Sequence, residues 1–180
     1  QFGELDILVH AVAFANKDDL KGEFMSVSRE GFLLAQDVSA YSLVALAREA
    51  RPLMSDGGTI LTLSYYGAEK AVANYNVMGV AKASLEACVR YLAVDLGKEG
   101  IRVNAISAGP VRTLSASGVS GFKKMHRLFE QISPMRRPLS IDDLGNSAVY
   151  LCSEMSRGTT GEIHYVDGGY NIIGVPEVVD

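Results

Sequence analysis

Thr59-Ile-Leu-Thr-Leu-Ser64, Asn74-Tyr-Asn-Val-Met-Gly-Val-Ala-Lys-Ala-Ser-Leu-Glu-Ala-Cys-Val-Arg-Tyr-Leu-Ala-Val-Asp-Leu96 and Ile101-Arg-Val-Asn-Ala-Ile-Ser107 follow one another through the middle of this 180-residue chain. The first and third are short and rich in branched side chains, the pattern of strands buried on both faces. The second is too long for a strand. It repeats apolar residues at helical spacing (Val77, Val80, Ala81, Leu85, Val89, Leu92, Leu96) until Gly97-Lys-Glu-Gly100 ends it. Its apolar surface is wider than one stripe, which predicts packing on two sides, against the sheet and against another subunit. Strand, helix, strand in this order predicts a parallel sheet. Working outward, Leu5-Asp-Ile-Leu-Val-His-Ala-Val-Ala13 predicts a further buried strand, and residues 28–54 a helix starting at Ser28 and broken by Ser55-Asp-Gly-Gly58. Downstream come a short helix over 122–131, another over 141–154 opened by Ser140, and a last strand, Glu162-Ile-His-Tyr-Val166. The expected fold is α/β, a doubly wound parallel sheet in three α/β/α layers.

Composition removes several function classes. The net charge is −4 with no Lys/Arg block, so no nucleic-acid partner is expected. No apolar run reaches the ~18 residues of a membrane helix. The start, Gln1-Phe-Gly-Glu-Leu-Asp6, lacks the basic and apolar regions of a signal peptide. Cys88 and Cys152 both lie in apolar helical patterns and read as buried thiols rather than a disulfide. No Cys/His spacing suggests a metal site. A reducing, cytoplasmic setting fits these features.

In such sheets ligands bind beyond the carboxyl ends of the strands. Those ends are residues 11–15, 64–66 and 107–111. Tyr75 and Lys82 follow the second of them. Seven helical steps make about 700°, so the two share a face with Lys82 ~10 Å further along the axis. A phenol beside a cation is a proton donor with electrostatic support, although in isolation such a pair is more often coincidence. Thr113-Leu-Ser-Ala-Ser-Gly-Val-Ser-Gly121 is small and polar, a candidate lid. Asp167-Gly-Gly169 reads as a structural turn. His10, His126 and His164 have no acid or nucleophile at suggestive spacing and read as packing or surface residues. The strand, Gly-rich turn and helix that normally hold a pyrophosphate are not found. The chain therefore reads as a single partial domain over 1–180, the C-terminal portion of a larger one.

Tyr75-x6-Lys82, Arg102-Val-Asn-Ala-Ile-Ser-Ala-Gly-Pro-Val-Arg-Thr113 and Val166-Asp-Gly-Gly169 resemble the Rossmann-like short-chain dehydrogenase/reductase superfamily. Leu63-Ser-Tyr-Tyr-Gly-Ala-Glu69 followed by Asn74-Tyr-Asn-Val-Met-Gly-Val-Ala-Lys82 is similar, within it, to the bacterial enoyl-[acyl-carrier-protein] reductases. Ordinary alcohol-handling members place the tyrosine four residues before the lysine, and that position here is Met78. The resemblance implies reduction of trans-2-enoyl thioesters on acyl carrier protein, with NAD as cofactor (NADH, with NADPH not excluded), in a homotetramer. It implies catalytic roles for Tyr65, Tyr75 and Lys82. It implies cofactor contacts from Val12, Lys82, Val111, Arg112, Thr113, Leu114 and Ser115, and substrate contacts from Ala15, Tyr65 and Tyr75. Lys82 would hold the nicotinamide ribose and favour the phenolate of Tyr75. Residues 113–133 would form a substrate-binding loop and short helix. Alternatives are a sister carbonyl reductase and a non-catalytic assembly fragment.

Overall fold

The computed structural model describes residues 3–111 and 122–175. Four parallel strands lie side by side in sequence order: β1 (Ile7–His10), β2 (Gly58–Ser64), β3 (Ile101–Ala108) and β4 (Ile163–Val166). Side chains alternate between the two faces of the sheet. Ile60, Ile101, Val103 and Ala105 meet α2 (Ser42–Ala50) and α3 (Asn76–Gly97) on one face. Leu61, Leu63, Ile106 and Ala108 meet α5 (Ile141–Cys152) on the other. The three-layer expectation is therefore met, with the core divided between the two helical layers.

α1 (Arg29–Gln36) starts where the sequence indicates: the Ser28 hydroxyl accepts from the Gly31 amide at 2.9 Å. The expected single helix over 28–54 is instead α1, a π-helical turn (Asp37–Tyr41) and α2. Two side chains of this region anchor the β1 end. Ser39 both accepts from the Phe14 amide and donates to the Phe14 carbonyl. Ser42 donates to the Val38 carbonyl at 2.7 Å and meets His10 Nε2 at 2.8 Å. A serine bonded back to the preceding turn bends a helix, and π-turns tend to mark functional regions. β1 is shorter than expected, and among the described residues it pairs with β2 alone. Within this chain, which presents only part of the domain, Ile7 and Val9 of β1 are 44% and 54% exposed.

α4 (Phe122–Ile132) and α5 lie close to their expected places. α5 opens with a capping box in which Ser140 and Asp143 satisfy each other's backbone amides. The Asp167 turn is structural, as expected: its carboxylate accepts from the amides of Gly169 and Asn171, while Gly168 and Gly169 take φ of 61° and 84°. Cys88 and Cys152 are free thiols, half-buried rather than buried.

Candidate active site

β2 ends at Ser64, and Tyr65 continues extended before a 3-10 turn (Tyr66–Ala68) reverses the chain. Tyr75 is the N-cap of α3 rather than a residue inside it. Its neighbours Asn74 and Asn76 have φ of 61° and 32°, a region asparagine tolerates better than other side chains. This entry aims the Tyr75 ring edge-on against Tyr65, with centroids 4.9 Å apart and planes at 73°. Two glycines allow the approach. A Cβ on Gly67 would lie 2.5 Å from the Tyr75 ring, and one on Gly79 would lie 2.7 Å from the Gly67 carbonyl oxygen. The sequence reading missed both. Gly79 left a signal, because glycine inside a helix costs ~1 kcal/mol relative to alanine and so needs a packing reason.

Lys82 is 7% exposed, and its ammonium donates to the Leu63 carbonyl at 2.6 Å. Lys82 and Tyr75 thus grip the same strand end, at Leu63 and at Tyr65. Burial lowers the Lys82 ammonium to about 8, opposed by Glu86. Tyr65 is pushed up to about 12, by burial first and then by Tyr170. Tyr75 is held well above the usual tyrosine range by burial, with smaller pushes from Tyr65 and Glu86. This corrects the expectation that Lys82 favours the phenolate of Tyr75. The lysine is spent on Leu63 a turn and more down the axis, and desolvation keeps the phenol protonated. Among the described residues the Tyr75 hydroxyl has no hydrogen-bond partner, and Lys82 has one acceptor for its three N–H groups.

The remaining expected residues are placed unevenly. Ala15 joins Tyr75 in a cluster around Ala35, Val77 and Ala81. Met78, in the position where alcohol-handling relatives carry tyrosine, is buried in that same cluster. Val12 stands exposed beyond β1. The Val111 side chain packs with Phe129 and Leu139, so it belongs to the core at this point. Arg112, Thr113, Leu114 and Ser115, with the loop over 113–121, lie outside the described residues. The ends of β3 and β4 approach closely at Gly109, where a Cβ would meet Leu139, Asp167 and Phe129 within 3.0 Å. A cavity of about 30 Å³, room for one water, lies there between Tyr65, Gly109, Phe129 and Tyr170. His126 is not without an acid, as the sequence reading had it: Nδ1 lies 3.0 Å from Glu130, one turn on. The pair sits beside Val111 and Leu139, away from Tyr75. No metal-ligand cluster occurs among the described residues.

A phenol and an ammonium at one strand edge, both with spare donors, fit a dinucleotide and a carbonyl-bearing substrate. Comparison with known proteins decides the family. The model of the family described as enoyl-(acyl carrier protein) reductase matches residues 1–171. The chain belongs to the enoyl-[acyl-carrier-protein] reductase family. It is 59% identical over 174 residues to the enoyl-[acyl-carrier-protein] reductase [NADH] FabI of Bacillus cereus, covering 97% of this chain and 68% of that protein. It is 54% identical over 178 residues to the enoyl-[acyl-carrier-protein] reductase [NADH] 1 of Rhizobium meliloti, covering 99% and 65%. Among solved structures it resembles the Bacillus cereus reductase with NADP+ and indole naphthyridinone (TM-score 0.95, 58% identity, 97% of this chain and 68% of that one). It also resembles the Anaplasma phagocytophilum reductase in complex with NAD (TM-score 0.92, 54% identity, 98% and 65%). The chain thus spans about two thirds of the length of these reductases.

Proposed function

We propose that this chain, within its full-length protein, carries the catalytic residues of an NADH-dependent reduction of trans-2-enoyl thioesters borne on acyl carrier protein. The observation that carries the reading is the Tyr65–Tyr75 pair at the end of β2, two residues from the carbonyl that holds Lys82. When bound, the nicotinamide supplies a hydride to the β-carbon of the substrate. Negative charge then develops on the thioester oxygen. Tyr75 donates a hydrogen bond to that oxygen and stabilises the charge where it appears. Its raised ionisation keeps the phenol a donor throughout the neutral range. Tyr65 forms the wall against which Tyr75 is oriented. Lys82 directs its two remaining N–H groups to the ribose hydroxyls. Val12, the Val111 backbone, Arg112, Thr113, Leu114 and Ser115 complete the cofactor contacts in this reading. Ala15 and the segment over 113–133 meet the acyl chain.

The donor assignment to NADH follows the relatives' names, and NADPH is the second donor to assay because one neighbour was solved with NADP+. A homotetramer is part of the proposal, supported by the exposed apolar Val80, Tyr91 and Val94 along α3. So is a cytoplasmic setting, supported by the finding that no helix among the described residues is long and apolar enough to cross a membrane. Burial of Met78 favours enoyl over carbonyl reduction, since no phenol stands where the carbonyl reductases place theirs. The test is NADH oxidation by the full-length protein with a crotonyl thioester against a ketoacyl thioester. Turnover of the first is expected. Turnover of the second alone contradicts the reading.

A further inference from the structure

Glu86 lies one turn beyond Lys82 on α3 and is 6% exposed. Glutamate is almost never buried to that degree unless it is paired. Its partner is the Ser64 hydroxyl, which donates to Glu86 Oε1 at 2.5 Å. Lys82 reaches the adjacent residue of the same strand, the Leu63 carbonyl. Successive turns of α3 therefore clamp successive residues of β2, and Tyr65 is the next residue along. The mechanism above gives Glu86 no task.

We propose that Glu86 is a positioning residue, whose buried carboxylate keeps the Lys82 ammonium charged for the cofactor and, through Ser64, fixes the strand end that carries Tyr65. The proposal rests on the reading of Lys82 as a cofactor ligand. Residues four apart on a helix are neighbours, and opposite charges so placed favour each other's ionised form. Burial works against both charges, raising the Glu86 carboxyl and lowering the Lys82 ammonium, and each group opposes the shift of the other. The other charged groups around Glu86 are Glu69, which disfavours its ionisation, and Arg90, which favours it but stands exposed on the next turn. His10 also feels Lys82: burial first, then the lysine, lowers its ionisation, and its ring is bonded to Thr62 and Ser42. Lys82 is thus the buried cation one turn from Glu86, and Arg90 the exposed one.

The experiment is NADH affinity of the full-length enzyme across pH for the wild type, Glu86→Gln, Glu86→Asp and Lys82→Met, with thermal melts of each. In the wild type, affinity is expected to weaken as pH rises through about 8. Glu86→Gln preserves the shape and an acceptor for Ser64 while removing the charge. Its alkaline limb is expected about one pH unit lower, with affinity equal to wild type in acid, where Lys82 is charged regardless. Glu86→Asp is expected to restore part of the shift. An unmoved limb in Glu86→Gln, or a loss of affinity equal at every pH, overturns the proposal. Should Glu86→Gln fail to fold, Ser64→Ala releases the carboxylate from its anchor and is expected to move the limb in the same direction by less. An unmoved limb in that variant also overturns it. If Lys82→Met binds NADH as tightly as wild type, the reading of Lys82 falls and this proposal with it. If only the Glu86 variants fail to respond, the proposal alone falls.

Discussion

At the scale of the residue, the site works by making two ordinary side chains unusual through burial. Tyr75 is kept a neutral donor, and Lys82 is brought close to losing its charge. Lys82 has a consequence for stability with a definite sign. Its folded value of about 8 lies below the ordinary 10.5, so between the two the unfolded chain binds more protons and stability contributed by this group rises with pH. Below about 8 the penalty of burying the charge is fully present. The urea midpoint of the full-length protein is therefore expected to gain, between neutral and pH near 10, relative to that of Lys82→Met. An equal pH response in the two proteins contradicts the assigned burial. Tyr75 and Lys82 were legible in the sequence because their spacing puts them near one strand end. Their electrostatic relation was not legible. Spacing does not say that Lys82 bonds to Leu63, that Tyr75 precedes the helix rather than sitting in it, or that desolvation outweighs a neighbouring charge.

At the scale of the element, the entry to α3 is the feature on which the site depends. Gly67, the positive φ of Asn74 and Asn76, and Gly79 together let the Tyr75 ring lie against Tyr65. Gly67→Ala puts a methyl into the ring and is expected to reduce turnover by at least about tenfold, with a smaller effect on NADH affinity. Steady-state kinetics beside a binding titration separates the two, and unchanged turnover contradicts the packing argument. At α5, Ser140→Ala removes one half of the capping box and is expected to destabilise the protein by about 1 kcal/mol without changing turnover. Denaturant unfolding of the variant checks it, an unchanged midpoint counting against the cap. The strands and helices themselves were readable from periodicity, and the starts at Ser28 and Ser140 from cap chemistry. The π-turn over 37–41 was not, and the bonds of Ser39 to Phe14 and of Ser42 to His10 that accompany it are tertiary contacts without a local pattern.

At the scale of the whole molecule, apolar side chains exposed among the described residues include Ile7 and Val9 on β1 and Val80, Tyr91 and Val94 along α3. The width of the apolar surface on α3 was visible in the sequence, and its outer part is what the tetramer proposal uses. Val94→Asp in the full-length protein is expected to shift sedimentation from the tetramer toward smaller species, whereas an unchanged assembly removes α3 from the interface. The claim on which the rest depends is that Tyr75 stabilises charge on the substrate oxygen while Lys82 holds the cofactor. The measurement that tests it most directly is kcat for a crotonyl thioester, set beside the dissociation constant for NADH, in full-length Tyr75→Phe and Lys82→Ala. Tyr75→Phe is expected to lower kcat by about 100-fold, the effect of deleting one oxyanion donor, with NADH affinity nearly unchanged. Lys82→Ala is expected to weaken NADH binding by about tenfold or more. Wild-type turnover in Tyr75→Phe, or the two effects exchanged between the variants, contradicts the account.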